Sequence, residues 1–476
     1  MMPEGNRLRR WLPVALAAVV TACIATPSAT PTASSPTVAE LSPIPVVTSP
    51  SPSPTATTAP APTPTEVATP PPSVVAPSSQ PLPSGSPRPS PSTTPGTSPE
   101  LTGYWVGRNI PEAGLQRRLT SLARKFHLPG VSVTIRLPDG REWTGTAGVA
   151  DVTHKQRPIT PDTAFALASI SKTYTAANAM KLIEEGHLRL DDRAARYLPE
   201  LKLDPRITIR MLLDHTSGLP DFFLNGTIDA PLQGKPDQTW TPTRTWRYVR
   251  KLLFPPGTRW SYSNTNYLLL GMIEERADGR PLDIQIRARF LDPLGLDQTW
   301  TQVAETPPDG VVTARGHRLL VSKNAAKLAP IFDGQPIMPF RSVVTAAGGA
   351  GDIAATSRDA ARWMAALVLG DVLKPGTKLQ MLSESIYTDS LGARIPYGLG
   401  LQVVRIRDRV AIGHSGRLLG FRGVVRALPE DGITIAVLTN QGTADPASVA
   451  SSMLKYILPP KTTCTPPAPT CVPAAS

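Results

Sequence analysis

The sequence predicts an α/β fold, in which an antiparallel sheet flanked by N- and C-terminal helices carries an inserted, mostly helical lobe. Two observations predict this arrangement. Strand-like alternation of apolar and polar residues occurs near both ends of the region after residue 100, whereas helical and loop patterns dominate its middle, from about residue 169 to residue 369. We therefore expect one sheet assembled from the two ends of this region, with the helical lobe between them in the chain.

The N-terminal elements of this region are a helix and a β-hairpin. Apolar residues recur at helical spacing over residues 115–126, and Pro111 suits the first turn of such a helix. Apolar and polar residues then alternate over 131–135, and they alternate again after a turn signal at 138–140. The two alternating runs predict a β-hairpin.

The C-terminal elements are three strands and a helix. The strand candidates are residues 409–413, 423–427 and 433–438. Asp445 is a suitable N-cap for a final helix that runs through Leu458.

The segments outside this region are not expected to fold. Of the 54 prolines in the 476-residue chain, 22 lie between residues 24 and 100, a stretch without Phe, Trp or Tyr. Such a stretch buries too little apolar surface to offset the entropy of ordering it. We interpret residues 1–22 as a signal peptide, 23–100 as a disordered tether, 101–459 as the folded domain and 460–476 as a disordered tail.

The N-terminus has the pattern of a secretory signal. Three arginines precede an apolar run over residues 11–20, which is shorter than the about 20 residues that a membrane span needs. The run ends in Val20-Thr21-Ala22-Cys23, which resembles a bacterial lipobox, where lipid is attached to the cysteine. We predict a lipid anchor at Cys23 on the outer face of the cell membrane, with ordinary cleavage and secretion, or an uncleaved anchor, as alternatives.

The formal net charge of +12 belongs to residues 101–476, almost all of it to the folded domain, because acidic and basic residues balance in the first hundred residues. We expect no nucleic acid partner, since no basic run is interleaved with aromatic residues and no zinc or helix-turn-helix pattern occurs. Anionic wall polymers or lipid headgroups fit the predicted location, and a basic surface without a specific partner is the alternative. In the tail, Cys464 and Cys471 are able to pair outside the cell.

The first chemical motif is Ser169-Ile170-Ser171-Lys172, at the start of a helical pattern that Gly186 ends. Ser169 and Lys172 are three residues apart and share one face of the first helical turn. A serine hydroxyl becomes nucleophilic when a base takes its proton, and helix N-terminal amides favour the negative charge that develops. Alone the motif is weak, because a solvated lysine in a helix gives the same pattern.

The second motif, Tyr262-Ser263-Asn264, lies in a polar loop after Pro255-Pro256-Gly257. We expect its phenol and its amide to point to the same side of an extended strand. Tyr262 beside Lys172 would act as the base for Ser169, and Asn264 would bind a substrate amide. The alternative is an aromatic residue that packs in the core beside a turn-forming asparagine.

The third motif is Gly413-His414-Ser415-Gly416-Arg417, on a predicted strand followed by a glycine-rich turn. Glycine at this place is expected to let a substrate backbone approach closely. His414 and Ser415 are candidates for contact with a substrate carboxylate or with the transferred proton, although a single histidine is more often structural.

Together these motifs, in this order and at this spacing, resemble those of the penicillin-recognising serine hydrolases. The Tyr-Ser-Asn form is similar to that of the β-lactamase-related family, which includes class C β-lactamases, DD-carboxypeptidases and some esterases. The resemblance spans about residues 111–458 and implies a β-lactamase/transpeptidase-like fold. Further matching stretches are Leu212-Leu213-Asp214-His215-Thr216-Ser217-Gly218-Leu219, Pro256-Gly257-Thr258, Ala347-Gly348-Gly349 and Tyr397-Gly398-Leu399-Gly400.

The resemblance also implies an acyl-enzyme mechanism without a cofactor or metal. Ser169 is then the nucleophile, and Lys172 and Tyr262 handle its proton. The backbone amides of Ser169 and Arg417 would form the oxyanion hole, and His215 is assigned to a structural loop. The implied substrate-binding residues are Asn264, His414, Ser415, Gly416 and Arg417.

The third motif limits the substrate. Class C β-lactamases usually have Lys-Thr-Gly where this chain has His414-Ser415-Gly416, which resembles the arrangement in soluble DD-carboxypeptidases. The leading hypothesis is a DD-carboxypeptidase-like hydrolase of the D-alanyl peptides of peptidoglycan, which β-lactams would acylate. The alternatives are a class C-like β-lactamase, a short-chain esterase and a penicillin-binding sensor with negligible turnover.

Overall fold

The computed structural model describes residues 104–105, 107–153, 157–321, 326–331, 336–383, 386–388, 395–458, 462–463 and 472–473. The predicted signal peptide and tether, including Cys23, lie outside these residues, and so do Cys464 and Cys471 of the tail. No helix in the described part of the chain is long and apolar enough to cross a membrane.

Strands and helices are numbered separately in chain order. The strands are β1 (Gly130–Arg136), β2 (Glu142–Gly148), β3 (Thr163–Ala166), β4 (Thr299–Thr301), β5 (Val312–Thr313), β6 (His317–Val321), β7 (Ala326–Pro330), β8 (Ile353–Thr356), β9 (Ile386–Thr388), β10 (Ile395–Tyr397), β11 (Gln402–Ile406), β12 (Arg409–Leu418), β13 (Phe421–Leu428), β14 (Ile433–Thr439), β15 (Thr462–Thr463) and β16 (Val472–Pro473). The α-helices are α1 (Glu112–Lys125), α2 (Lys172–Glu184), α3 (Ala194–Tyr197), α4 (Ile209–Leu213), α5 (Asp229–Gly234), α6 (Pro242–Trp246), α7 (Asn264–Asp278), α8 (Leu282–Ile286), α9 (Asp292–Leu294), α10 (Arg341–Ala347), α11 (Ser357–Val368), α12 (Pro375–Ser383) and α13 (Pro446–Ile457).

The main sheet confirms the predicted arrangement. Its strand order is β2-β1-β14-β13-β12-β11-β10-β9, and its neighbouring strands pair antiparallel. Strand β1 from the N-terminal side pairs with β14 from the C-terminal side, with Val131 opposite Thr439 and Arg136 opposite Thr434. The two ends of the folded region therefore meet inside one sheet.

The terminal helices cover one face of this sheet. Leu115 and Leu119 of α1 and Val449 of α13 share an apolar cluster with Val133 and Ile435 of the sheet. Burial of such a side chain stabilises the fold by about 1.5–3 kcal/mol relative to exposure. The predicted helices at both ends thus form the outer layer of the sheet lobe.

Helix α11 covers the other face of the sheet. Ser132 Oγ and Thr134 Oγ1 on β1 each lie 2.8 Å from Ser357 Oγ, at the N-terminus of α11. Strand β1 therefore directs apolar side chains toward the terminal helices and hydroxyl groups toward α11. This is the alternation that the sequence shows over residues 131–135.

The inserted lobe is mostly helical, as predicted, but this region of the chain also contains short strands that the sequence patterns do not predict. Helices α2 and α7 pack against each other, and Met180 and Ile273 share one apolar cluster. The additional strands form a four-stranded sheet of order β4-β8-β3-β5 and a β6-β7 hairpin. Each has only two to five residues, which is too short for a reliable alternating pattern.

Candidate active site

Ser169 lies in a sharp turn between strand β3 and helix α2. The 3₁₀ turn Ala168–Ser171 joins the two elements. Ala168 has a φ of +51°, in the left-handed region that residues other than glycine rarely adopt. Such conformations cost of order 1–3 kcal/mol and cluster at functional sites. The turn presents Ser169 with 8% of its surface exposed.

Lys172 begins α2 one turn after Ser169, and it is fully buried. Its Nζ donates hydrogen bonds to Ser169 Oγ at 3.1 Å and to Asn264 Oδ1 at 2.7 Å. It also donates to the carbonyl oxygen of Ala350 at 2.7 Å. An ammonium group has three donors, and these acceptors use all three. The predicted contact between Ser169 and Lys172 is therefore present, and the lysine is fixed from three directions.

Asn264 connects Lys172 to a buried carboxyl group. Its Oδ1 accepts from Lys172, while its Nδ2 donates to Asp221 Oδ2 at 2.7 Å. Asp221 Oδ1 also accepts from the backbone N–H of Phe223 at 2.9 Å. Burial raises the pKa of Asp221, although hydrogen bonds and the charge of Lys172 oppose that shift. We call Lys172, Asn264 and Asp221 the charged chain.

The structure corrects the prediction for the second motif in one respect. Tyr262 and Asn264 do not share a strand, because Ser263 ends a loop and Asn264 is the first residue of helix α7. Both polar atoms of the Asn264 side chain contact protein groups, and its expected contact with a substrate amide stays a prediction. Its amide therefore holds the charged chain together.

Tyr262 contacts the nucleophile from a different direction. Its Oη donates to Ser169 Oγ at 2.8 Å, and Lys172 Nζ lies 5.2 Å from the centroid of its ring. The ring also packs on His215, with 4.4 Å between the two ring centroids. Ser169 Oγ thus contacts both an ammonium group and a half-buried phenol.

The third motif lies within strand β12. The sequence pattern predicts a strand over residues 409–413, but β12 continues to Leu418. Its pairing with β11 ends at Gly413, while its pairing with β13 continues from Ile412 to Leu418. The predicted strand is too short because the glycines of the motif weaken the strand pattern.

These glycines admit the protein's own backbone. A Cβ atom on Gly416 would lie 2.1 Å from the carbonyl oxygen of Leu167, two residues before the nucleophile. A Cβ atom on Gly413 would lie 2.0 Å from the carbonyl oxygen of Val425. Gly416 therefore lets β12 touch the turn that carries Ser169, and the expectation that glycine here admits a substrate backbone stays a prediction.

His414 is fully buried and contacts protein groups through both ring nitrogens. Its Nε2 accepts from Tyr397 Oη at 3.1 Å, and its Nδ1 donates to the carbonyl oxygen of Ser415 at 2.6 Å. Burial and the charge of Lys172 lower the pKa of His414 to about 3. The ring is therefore neutral near pH 7, and both of its nitrogens are engaged within the protein.

Two residues continue the hydrogen bonding behind His414. His215 Nδ1 accepts from Asn266 Nδ2 at 3.0 Å and from the backbone N–H of Ser263 at 3.3 Å. The proton of His215 is therefore on Nε2, which donates to Tyr397 Oη at 3.2 Å, and Tyr397 donates to His414. Burial and the charge of Lys172 also hold the pKa of His215 well below its usual value. We call His215, Tyr397 and His414 the neutral relay.

Ser415 and Arg417 follow His414 on β12, and both are half-buried. The backbone N–H and the hydroxyl of Ser415 donate to Gln402 Oε1 at 3.1 and 3.2 Å. Arg426 Nη2 donates to the same oxygen at 2.7 Å. Hydrogen bonds and close backbone contact thus bring the three motifs together around one serine.

Sequence reasoning missed Asp221, Gln402 and the contacts of His215 and Tyr397. His215 and Tyr397 lie in stretches that match the family pattern, and this match is the signal in the sequence that points to them. Nothing in the sequence indicates that they meet across 182 positions. Asp221 and Gln402 carry no local signal, because a single polar residue in a loop or at a strand end is ordinary.

The surroundings of Ser169 and the fold together define a class of protein, the serine hydrolases related to penicillin-binding proteins. The family model described as Beta-lactamase matches residues 115–455. Since this match covers well over half of the chain, the protein belongs to the beta-lactamase family.

Individual relatives agree with this assignment. The chain is 29% identical to penicillin-binding protein 4 of Amycolatopsis lactamdurans over 356 residues, which cover 69% of this chain and 85% of the relative. It is 26% identical to a D-aminopeptidase of Brucella anthropi over 316 residues, which cover 65% of this chain and 56% of that protein. The crystal structure of a D-stereospecific amidohydrolase from Streptomyces sp. matches with a TM-score of 0.62 at 26% identity, over 73% of this chain and 99% of that one. The predicted fold class and the prediction of a serine hydrolase are confirmed.

Proposed function

We propose that the protein forms an acyl-enzyme through Ser169 and hydrolyses peptides that end in D-alanine, as a DD-carboxypeptidase does. The observation that carries this proposal is the position of Ser169 Oγ, 3.1 Å from Lys172 Nζ and 2.8 Å from Tyr262 Oη. Both distances are within hydrogen-bond reach, as proton transfer to or from a nucleophile requires. We therefore assign to Lys172 and Tyr262 the transfer of the Ser169 hydroxyl proton.

In the proposed mechanism the proton of Ser169 moves to Tyr262. The buried charge of Lys172 stabilises the phenolate form of Tyr262, and in that form the 2.8 Å contact reverses, so that Ser169 donates. Ser169 Oγ then attacks the scissile carbonyl carbon, and the proton on Tyr262 passes to the leaving amine. Water afterwards hydrolyses the ester bond between Ser169 and the acyl group.

Donors on β12 are proposed to hold the substrate. The backbone amides of Ser169 and Arg417 would bind the oxyanion, and a preorganised donor of this kind is typically worth about 3 to 4 kcal/mol. The side chains of Ser415 and Arg417 are half-buried on the strand that touches the nucleophile turn. In this proposal the Ser415 hydroxyl leaves Gln402 Oε1 and donates to a substrate carboxylate, which the Arg417 guanidinium also binds. A carboxypeptidase substrate has such a carboxylate.

His414, Gly416 and Asn264 act through other groups in this proposal. His414 donates to the carbonyl oxygen of Ser415, and Gly416 sets the distance between β12 and Leu167. Asn264 fixes the lysine of the charged chain. These residues therefore position the substrate-binding strand and the proton-transfer groups.

A D-aminopeptidase or D-amidase activity is the second candidate, because relatives carry those names. Such an enzyme binds a free α-ammonium group, for which a carboxylate is the usual partner. Asp221 is the carboxylate that the described residues bring into the site, and it is buried and accepts from Asn264 and Phe223. This arrangement favours a substrate carboxylate over a substrate amine.

We propose also that the enzyme acts outside the cytoplasm, where peptidoglycan is available and β-lactams would acylate it. The support is the N-terminal pattern, with lipid at Cys23 and residues 24–100 as a tether. At about 3.1 Å per residue in a polyproline conformation, that tether would reach roughly 240 Å. Such a reach suits a substrate that surrounds the cell.

Rates with four substrates test the proposed reaction. The full chain is assayed with an N-acylated D-Ala-D-Ala peptide, a D-alanine anilide with a free amine, a cephalosporin and a short-chain nitrophenyl ester. We expect the highest kcat/KM for the acylated peptide, and a fluorescent penicillin label that decays with time. The best rate on the anilide, the cephalosporin or the ester would instead assign the D-aminopeptidase, the β-lactamase or the esterase. A permanent label without hydrolysis would assign the sensor.

The variant Ser169→Ala tests the nucleophile. We expect it to lose labelling and to lose hydrolysis by a factor of about 10⁴ or more, because no acyl-enzyme forms. Ser171→Ala is the matched control, since Ser171 is fully buried and its Oγ accepts from the backbone N–H of Ile353 at 3.0 Å. The control should keep its label. Undiminished hydrolysis in Ser169→Ala would identify another nucleophile.

A further inference from the structure

A strongly basic, largely exposed segment of the inserted lobe lies outside the three motifs, and we call it the cationic face. Between residues 235 and 259 there are six basic residues and one acidic residue, Asp237. None of the six basic side chains forms an ion pair or a hydrogen bond with another residue in the described ranges. Five of them are exposed, and Arg244 is half-buried. The basic residues of this cationic face are Lys235, Arg244, Arg247, Arg250, Lys251 and Arg259.

Other arginines of the same lobe have carboxylate partners. Arg206 pairs with Asp204 at 2.7 Å, and Arg276 pairs with Glu200 at 2.6 Å. Exposed pairs of this kind contribute little to stability, but they cancel local charge. The cationic face lacks such partners among the described residues, so it keeps a positive potential that attracts anions.

Exposed leucines lie within this segment and in the segment beside it. Leu253 is 55% exposed and Leu224 is 47% exposed. The segments that carry them run side by side. Asn225 Nδ2 donates to the carbonyl oxygen of Tyr248 at 2.7 Å, and the N–H of Leu253 donates to the carbonyl oxygen of Gly218 at 2.9 Å. The face therefore combines cations with apolar side chains.

Aromatic contacts hold two of its cations in place. The guanidinium of Arg244 lies 4.0 Å from the centroid of the Trp240 ring, and that of Arg259 lies 5.1 Å from the Phe254 ring. The loop before Arg259 is tied down as well, because the N–H of Gly257 donates to the carbonyl oxygen of Thr216 at 2.9 Å. A partner consequently meets a surface that is already ordered, which lowers the entropy cost of binding.

We infer that the cationic face binds an anionic lipid surface. Basic residues next to exposed leucines fit lipid, because headgroups attract the cations while the acyl boundary buries the leucines. A soluble phosphodiester polymer would use the cations and leave the leucines in water. The inference depends neither on the chemistry of Ser169 nor on lipid at Cys23. Since Arg259 precedes Tyr262 by three residues, lipid binding would orient the site with respect to the membrane.

Vesicle sedimentation tests the inference. The full chain carrying Cys23→Ser, which removes the acceptor for lipid, is mixed with vesicles of equal parts phosphatidylglycerol and phosphatidylcholine, or with pure phosphatidylcholine. We expect binding to the anionic vesicles to weaken about 100-fold in Arg247→Gln/Arg250→Gln/Lys251→Gln, since each basic residue near such a surface contributes about 1 kcal/mol. Leu253→Ser should weaken it about tenfold.

A matched control variant loses the same three positive charges from helix α1 instead of from the cationic face. Arg117, Arg124 and Lys125 of α1 are also exposed, and Arg117→Gln/Arg124→Gln/Lys125→Gln should bind like the parent chain. All variants keep the same N-terminal segment and should unfold at the parent Tm. Equal losses in both triple variants would show that net charge alone acts, and would overturn the inference. A soluble polyanion would be the partner instead if two results were obtained together. Polyphosphate binding would be weakened in Arg247→Gln/Arg250→Gln/Lys251→Gln but not in Leu253→Ser, and vesicle binding would be the same in these variants as in the parent chain.

Discussion

The charged chain and the neutral relay lie on either side of the hydrogen-bonded pair Ser169 and Tyr262, and they differ in charge. The charged chain reaches Ser169 through Lys172, and the neutral relay reaches Tyr262 through the ring of His215. The difference has an electrostatic cause, because the charge of Lys172 helps to lower the pKa of both histidines in the relay. A second buried cation beside this lysine would be costly.

This difference bears on the third motif. Class C β-lactamases usually have lysine where this chain has His414, but His414 is neutral and both of its nitrogens are engaged. It supplies hydrogen bonds and shape, and it does not replace a lysine charge. In the proposed carboxypeptidase reaction, the cationic group that a substrate carboxylate meets would therefore lie elsewhere, and Arg417 on the same strand is our proposal.

We expect the largest effect from Tyr262→Phe, which removes the proposed proton acceptor between the charged chain and the neutral relay. General acid–base groups typically contribute 10²- to 10⁴-fold, so kcat should fall by about that factor. The ring still packs on His215, so the Tm should stay near the wild-type value. Steady-state rates and thermal unfolding check both parts.

Tyr174→Phe is the control for the loss of a phenol. The Tyr174 hydroxyl is buried and has no hydrogen-bond partner among the described residues, and its ring stacks on Trp363 with centroids 4.1 Å apart. We expect normal kcat from this variant. Near-normal kcat in Tyr262→Phe as well would remove Tyr262 from proton transfer.

A smaller effect is expected from Tyr397→Phe, which cuts the neutral relay. His414 Nε2 loses its donor and His215 Nε2 loses its acceptor, so the free energy of unfolding should fall by about 1–3 kcal/mol. Because the relay positions the strand of Ser415, the loss of kcat/KM, roughly tenfold, should appear mainly in KM. Tyr397 is thus a positioning residue.

The KM measurement separates positioning from general destabilisation. A merely structural role would lower the amount of folded enzyme and leave KM of the remainder unchanged. Tyr174→Phe again serves as the control. An unchanged KM, or a fall confined to kcat, would contradict the positioning role of Tyr397.

The sequence predicts the local contact of the site but not its long-range contacts. Ser169 and Lys172 are three residues apart, so helical geometry alone places their side chains together. The relay joins residues 215, 397 and 414, and the charged chain joins residues 172, 221 and 264, through contacts that depend on how distant elements pack. Spacing in the chain carries no information about such contacts.

The fold shows the same division between local and distant information. Helix α13 begins at Pro446 with an Asp445 cap, as local signals predict, and the Asp445 side chain accepts from the N–H of Ser448. The extension of β12 to Leu418 is not predicted. This part of β12 pairs with β13, and its Gly416 also lies against Leu167, a contact between residues 249 positions apart that one sequence does not show.

The last expected effect concerns the stability that the relay contributes as pH changes. An unfolded histidine binds a proton near pH 6.5, whereas His414 in the folded protein does so near pH 3. The unfolded state therefore binds more protons between these values, and the free energy of unfolding falls as pH decreases through this window, by up to about 1.4 kcal/mol per pH unit for this group. His414→Gln should remove that dependence, so its unfolding free energy should change by about 2 kcal/mol less than wild type between pH 7 and pH 5.

Urea unfolding at the two pH values measures this difference. Buried carboxyl groups act with the opposite sign, since burial raises the pKa of Asp352 to about 7 and the folded state then binds more protons as pH falls. Those groups are present in both proteins, so they cancel in the comparison of His414→Gln with wild type. His187→Gln is the control, because His187 is exposed, and it should follow the wild-type curve. Identical pH dependence in His414→Gln and wild type would mean that His414 carries a proton in the folded protein at pH 5. The relay would then be charged at that pH, and the difference between it and the charged chain would not hold.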